Sequence, residues 1–125
     1  MLSVICPIYN EEKYIAQCIE SLLLQDYPQN DLEILFVDGM STDKTRGIIA
    51  SYTKKYPFIK MLDNPKKIVP YAMNTGIKAS KGEIIIRLDG HVEYPTNYFS
   101  ALVKNLKELD ADNVGALCET CLLYT

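Results

Sequence analysis

Arg87, Asp89 and His91 occupy alternate positions of Arg87-Leu88-Asp89-Gly90-His91, directly after the apolar run Ile84-Ile85-Ile86. The run ends in a carboxylate, a glycine and the chain's single histidine. A carboxylate closing a buried strand is costly unless something pairs with it. A divalent cation that also binds an anionic substrate suits such a place. Oxygen ligands with one imidazole fit Mg²⁺ or Mn²⁺, and Mn²⁺ tolerates His91 better. A metal held by Asp89 and His91 would neutralise phosphate oxygens and act as a Lewis acid for a departing diphosphate. Gly90 is read as giving the turn conformational freedom. Arg87 would pair either with Asp89 or with a phosphate. The competing reading of His91 is an ordinary hydrogen-bonded histidine.

Two other polar clusters follow apolar runs. The first is Pro7-Ile8-Tyr9-Asn10-Glu11-Glu12, and the second is Asp38-Gly39 after Leu32 to Val37. A dinucleotide fold would place Gly-x-Gly-x-x-Gly in the first cluster, so that backbone could approach a pyrophosphate. A stiff, bulky, acidic turn stands there instead, and no Gly-x-x-x-x-Gly-Lys-Ser/Thr run exists. NAD use and P-loop chemistry are therefore disfavoured. Carboxylates such as Glu11 and Asp38 accept hydrogen bonds from a pyrimidine imide or from sugar hydroxyls. Each residue also has a plainer reading. Asp38 would cap its turn, Glu11 would favour a helix dipole, and Tyr9 would pack at an edge.

Strand and helix patterns alternate along the chain. Apolar runs at Leu2–Ile8, Leu32–Val37, Phe58–Leu62, Glu83–Leu88 and Val114–Leu117 read as five strands. Ile15, Cys18, Ile19, Leu22 and Leu23 recur at helical spacing. A second helix carries Ile48, Ile49, Tyr52 and Tyr56, with Ser41, Thr42 and Asp43 as candidate caps. Pro70 suits the first turn of a third helix, whose buried face would be Ala72, Met73, Gly76 and Ile77. Pro95 opens a fourth, with Phe99, Leu102, Val103, Leu106 and Leu109 on one side. Strands separated by helices imply an α/β fold with a mostly parallel sheet flanked by helices. Ligands then bind at the carboxyl ends of the strands. Glu11, Asp38 and Asp89 are expected to line one cleft there, with Tyr9, Asn10 and His91 beside them.

Composition is that of an ordinary globular protein, with 48% hydrophobic and 23% charged residues among 125. A net charge of −3 gives no nucleic-acid surface. No stretch reaches the ~20 apolar residues of a spanning helix, and the N-terminus lacks a signal-peptide pattern. Cys6 and Cys18 read as buried small hydrophobes. Cys118-x-x-Cys121 lacks the second half of a four-ligand zinc site. Reduced thiols and a cytoplasmic setting follow.

Four blocks, in order, resemble family 2 glycosyltransferases. They are Ser3-Val4-Ile5-Cys6-Pro7-Ile8-Tyr9-Asn10-Glu11-Glu12, Val37-Asp38-Gly39-Met40-Ser41-Thr42-Asp43-Lys44-Thr45, Asn74-Thr75-Gly76-Ile77-Lys78-Ala79-Ser80-Lys81-Gly82 and Leu88-Asp89-Gly90-His91. The resemblance implies the GT-A fold, a Rossmann-like nucleotide-diphospho-sugar transferase fold. It implies a nucleotide-sugar donor, usually a UDP-sugar, inverting transfer, and a glycan or lipid-linked acceptor. It places Pro7, Tyr9, Glu11 and Asp38 on the nucleoside and Asp89 in the Asp-x-Asp metal motif. His91 departs from that motif's second aspartate. With Arg87 before it and Glu93-Tyr94-Pro95 after, it resembles the branch related to succinoglycan biosynthesis, which implies exopolysaccharide or cell-envelope glycan assembly. Work at the inner face of the cytoplasmic membrane fits such an acceptor.

The family's acidic base lies downstream of the metal motif, so it is expected beyond Thr125. The chain is therefore expected to be the nucleotide-sugar-binding part, truncated before the acceptor half. An exposed sheet edge would then favour self-association. Two rivals follow: a binding module without transferase activity, and a nucleotidyltransferase, which would normally carry a glycine-rich basic loop after the first strand.

Overall fold

Leu2–Ile8 and Leu32–Asp38 form strands β1 and β2 of the computed structural model, which describes residues 1–109, with side chains through 106. Both strands are buried along nearly their whole length, as central strands covered on two faces must be. β1 pairs in parallel with β2 from Leu2↔Leu32 to Ile8↔Asp38. Ile59–Asp63 forms β3 on the far side of β2, and Ile84–Arg87 forms β4 on the far side of β1. The described sheet has the order β3-β2-β1-β4 and is parallel throughout.

Helices α1 (Ile15–Leu23), α2 (Thr45–Lys55), α3 (Val69–Ala79) and α4 (Tyr98–Leu109) supply the crossovers and the cover. The pleat sends alternate residues of β1 to opposite faces. Leu2, Val4, Cys6 and Ile8 meet Ile15, Ile19, Ile49 and Phe99 from α1, α2 and α4. Ile5 joins Leu35, Val37 and Ala72 under α3. α3 lies so close that a side chain on Gly76 would come within 2.6 Å of the Ile5 Cγ2. Glycine there serves packing.

Most element boundaries fall within a residue or two of the sequence reading, though α4 begins at Tyr98, three residues after Pro95. α2 starts at Thr45 with Lys44, and none of the three candidates, at its N-cap; Asp43 lies one residue earlier, and its Oδ1 accepts the Thr45 N–H (2.9 Å) and hydroxyl (2.5 Å). One predicted core residue is misplaced. Ile77 is 46% exposed, because α3 turns Ala72 and Gly76 toward the sheet and Ile77 away from it. Cys6 and Cys18 are buried free thiols, and burial pushes Cys18 up to about 12. Both thus remain protonated. The expected strand Val114–Leu117, the Leu109 side chain, Cys118 and Cys121 lie outside the described residues.

At the sheet edge opposite the cleft described below, Glu33 is buried beside Ser3, its parallel partner. Glu33 Oε2 accepts the Ser3 hydroxyl (2.6 Å) and the Lys81 N–H (2.5 Å), and Ser3 Oγ accepts the Gly82 N–H (2.8 Å). The connection from α3 to β4 is pinned to the central strands in this way.

Candidate functional site

Parallel strands end on one edge, so the loops after β1, β2 and β4 converge there. They frame an open cleft of about 210 Å³, below the ~300–1,000 Å³ typical of a complete small-molecule site. Pro7, Tyr9, Glu11, Arg87, Asp89 and His91 all line it. The acids are close to basic partners without forming tight pairs: His91 Nδ1 is 3.8 Å from Glu11 Oε1, and Arg87 Nη2 is 4.0 Å from Asp89 Oδ1. The Asp89 side chain is 32% exposed and that of His91 55%. Arg87 Nε is buried with no hydrogen-bond partner. An orphaned guanidinium donor in a cleft is what an incoming phosphate oxygen would satisfy.

Asp38 is placed differently from the sequence expectation. Its carboxylate is fully buried and does not reach the cleft surface. It accepts the Ser41 N–H (2.9 Å), the Ser41 hydroxyl (2.5 Å) and Arg46 Nη1 (2.8 Å). Arg46 Nη2 continues to Asp63 Oδ1 at 2.7 Å. Three donors already occupy the acceptor that was expected to read a nucleoside. Only Glu11 and Asp89 of the three expected carboxylates line the cleft.

Asn10 is likewise outside the cleft wall. It takes a left-handed φ of 50°. Its N–H donates to Ser41 Oγ (2.8 Å), and its Oδ1 accepts the Thr42 N–H (2.9 Å). The Glu11 N–H donates to Thr45 Oγ1 (2.9 Å), and Glu12 Oε2 accepts the Lys44 N–H (3.3 Å). The loops after β1 and β2 are thereby welded together, which fixes the backbone that carries Tyr9 and Glu11.

Gly90 owes its identity to space and not to backbone freedom, since no glycine among the described residues has a positive φ. A side chain there would collide with the Ile8 Cδ1.

The segment after β3 supplies cleft residues that sequence reasoning passed over: Asn64, Lys67, Ile68 and Val69. The Asn64 N–H donates to the Asp38 carbonyl (2.7 Å), and its Nδ2 donates to the Ile68 carbonyl (3.0 Å). Lys67 takes a left-handed φ of 64°, a strained conformation for a long side chain and one that gathers at binding sites. Its ammonium sits 6.0 Å from the centroid of the Tyr9 ring. In the sequence Lys66-Lys67 looks like any solvated basic pair, and no residue-type signal announces that φ.

No group of three or more His, Cys, Asp or Glu side chains is placed to hold an ion among the described residues. The donor set still fits a cation that a ligand completes. Asp89 and His91 both face the cleft, and a diphosphate would bring the remaining oxygens.

The family model described as Glycosyl transferase family 2 matches residues 3–121. The chain belongs to glycosyl transferase family 2. Among its relatives is the Methanococcus voltae dolichyl N-acetyl-alpha-D-glucosaminyl phosphate 3-beta-D-2,3-diacetamido-2,3-dideoxy-beta-D-glucuronosyltransferase, 45% identical over 78% of this chain and 31% of that protein. The Rhizobium meliloti succinoglycan biosynthesis protein ExoA is 33% identical over 94% of this chain and 36% of its own length. S. aureus TarS 1–349 in complex with UDP-GlcNAc superposes with a TM-score of 0.75 at 29% identity, covering 86% of this chain and 31% of that one. The mannosyltransferase PcManGT from Pyrobaculum calidifontis, in complex with GDP-Man and Mn²⁺, gives 0.77 at 29% identity over 84% and 32%. The fold is that of GT-A glycosyltransferases, as the sequence blocks implied. This family 2 chain spans about a third of the length of the relatives it matches.

Proposed function

We propose that this family 2 chain is the donor-binding part of an inverting glycosyltransferase. It would take a sugar from a nucleotide-diphosphate donor, a UDP-sugar, and pass it to a glycan or lipid-linked acceptor. One observation carries the reading: Glu11, Arg87, Asp89 and His91 share a single cleft with Tyr9, Asn64 and Lys67 at the carboxyl edge of a parallel sheet. Tyr9 offers a face for the base, and the Asn64 amide oxygen offers an acceptor for an imide N–H. Arg87, with its orphaned Nε, and Lys67 would hold phosphate oxygens.

Asp89 and His91 would hold Mn²⁺ or Mg²⁺. Such an ion supplies charge stabilisation to a leaving diphosphate. Glu11, 3.8 Å from His91, would orient the imidazole. The base that takes the acceptor proton is assigned to residues beyond Thr125. The setting we propose is exopolysaccharide or envelope glycan synthesis at the inner face of the cytoplasmic membrane; a succinoglycan biosynthesis protein and a transferase named for a dolichyl-linked acceptor among the relatives support its glycan part. No helix among the described residues is long and apolar enough to cross a membrane.

Calorimetry with UDP, with and without Mn²⁺, tests the proposal. UDP should bind, Mn²⁺ should tighten it, and Asp89→Ala should abolish the tightening. Arg87→Ala should weaken UDP by roughly 10-fold or more, the loss of one charged hydrogen bond. Folded protein that ignores UDP under both conditions would refute it. Binding of a UDP-sugar with no hydrolysis or transfer by this chain would favour the binding-module reading.

A further inference from the structure

We infer that Tyr94 is a positioning residue that presents the Asp89 carboxylate to the cleft, an inference that rests on the donor-binding role proposed above. The last ladder bond of the β4 edge runs from the Leu88 N–H to the Ile5 carbonyl (3.0 Å). Asp89 therefore begins just where the sheet stops holding the chain. Its backbone is held by one hydroxyl instead. Tyr94 Oη accepts the Asp89 N–H (2.9 Å) and donates to the Asp89 carbonyl (3.2 Å). Bonds to both backbone groups of one residue fix the peptide planes on either side, and with them the Cα–Cβ direction of the carboxylate. The Cys18 thiol donates to the same carbonyl at 3.6 Å.

Tyr94 is itself tied to a rigid support. It is 6% exposed. Its ring lies 4.7 Å from that of Tyr98, and its N–H donates to Ser21 Oγ (3.1 Å) at the end of α1. Gln25, just past α1, donates to the Pro95 carbonyl (2.6 Å) and accepts the Phe99 N–H (3.0 Å). The segment from 94 to 99 is thus stitched to α1, and the phenol carries that rigidity to the cleft. A buried tyrosine needs some partner for its hydroxyl. Here both of its bonds fall on one residue, and that residue's side chain enters the cleft. Partners of this kind behind a ligating group typically alter metal affinity by about 10–100-fold.

Tyr94→Phe removes the hydroxyl and keeps the ring. UDP binding to the intact 125-residue chain would be measured with and without Mn²⁺, together with amide exchange of the unliganded protein. Three results are expected. Metal-free UDP affinity stays within about twofold, the Mn²⁺ enhancement falls by about tenfold, and Asp89 amide exchange accelerates while the β1 amides keep their protection. Ser21→Ala, which loosens the support but keeps the hydroxyl, should give a smaller loss of the same enhancement. An undiminished Mn²⁺ enhancement in Tyr94→Phe, or an equal loss in both titrations, overturns the inference. Wild-type protein that binds UDP without any Mn²⁺ enhancement overturns the metal-holding role proposed for Asp89 and His91 instead, and one that ignores UDP altogether overturns the donor reading. The exchange arm then still judges the strap, and an unchanged Asp89 amide refutes it.

Discussion

Replacing Asp38 with alanine separates a structural carboxylate from a ligand-reading one. The side chain is fully buried, with three charge-assisted bonds of 2.5–2.9 Å from Ser41 and Arg46. Deleting one partner of a buried ion pair costs about 3–5 kcal/mol. Against the ~5–15 kcal/mol that holds a domain folded, this is a large share. The melting temperature should fall by roughly 10–20 °C. Arg46→Ala should cost at least as much, about 3–5 kcal/mol, because it leaves the fully buried Asp38 carboxylate with its Ser41 bonds but no countercharge. Urea unfolding followed by circular dichroism measures both. UDP titration well below the transition completes the test. Folded Asp38→Ala protein should bind UDP within about threefold of wild type, a difference under ~1 kcal/mol. A variant as stable as wild type that has lost UDP affinity tenfold would refute the assignment and return Asp38 to the nucleoside.

Two further outcomes follow from the rest of the molecule. Burial alone would raise Glu33. The Ser3 hydroxyl, the Lys81 N–H and the Lys60 and Lys81 charges outweigh it and hold the group below its usual range. A carboxylate lowered in the folded state adds stability above its unfolded value near ~4.3, and that stability is lost as pH falls through the folded value. Glu33→Gln should therefore lower stability at pH 7 and flatten its decline below pH ~4.3, read by urea unfolding across that range; an unaltered pH slope would contradict the assignment. Gly76→Ala should destabilise by about 1–3 kcal/mol, because its methyl would meet the buried, branched Ile5 at 2.6 Å. A neutral melting shift would show that α3 can retreat from the sheet.

The fold was legible where periodicity and turn chemistry agree. Ile84–Ile86 ending in Arg87 and Asp89 announced a strand with its polar tip at the carboxyl edge of a parallel sheet, and the comparisons bear out the family that the four blocks implied. Placement at the cleft was legible where a residue follows directly on the carboxyl end of a parallel strand, as Glu11, Asp89 and His91 do. It was not legible where partners distant in sequence compete for the same group. Asp38 has the right type and place for a nucleoside contact, but Arg46, eight residues on, takes the carboxylate. Lys67 failed in the other direction: an unremarkable basic pair hides a left-handed backbone that brings one member to the cleft. Ile77 shows the same limit, since helical spacing gives a stripe but not its width.

The weld between the loops after β1 and β2 bears on how the proposed donor would be captured. Asn10 to Ser41 and Thr42, and Glu11 to Thr45, are ties complete within the protein alone. The conformational entropy of ordering those loops is incurred during folding and not at the moment of encounter, so on the proposed reading little of the binding free energy would be diverted to organising Tyr9 and Glu11. That half of the cleft is already set, like type locked in a frame.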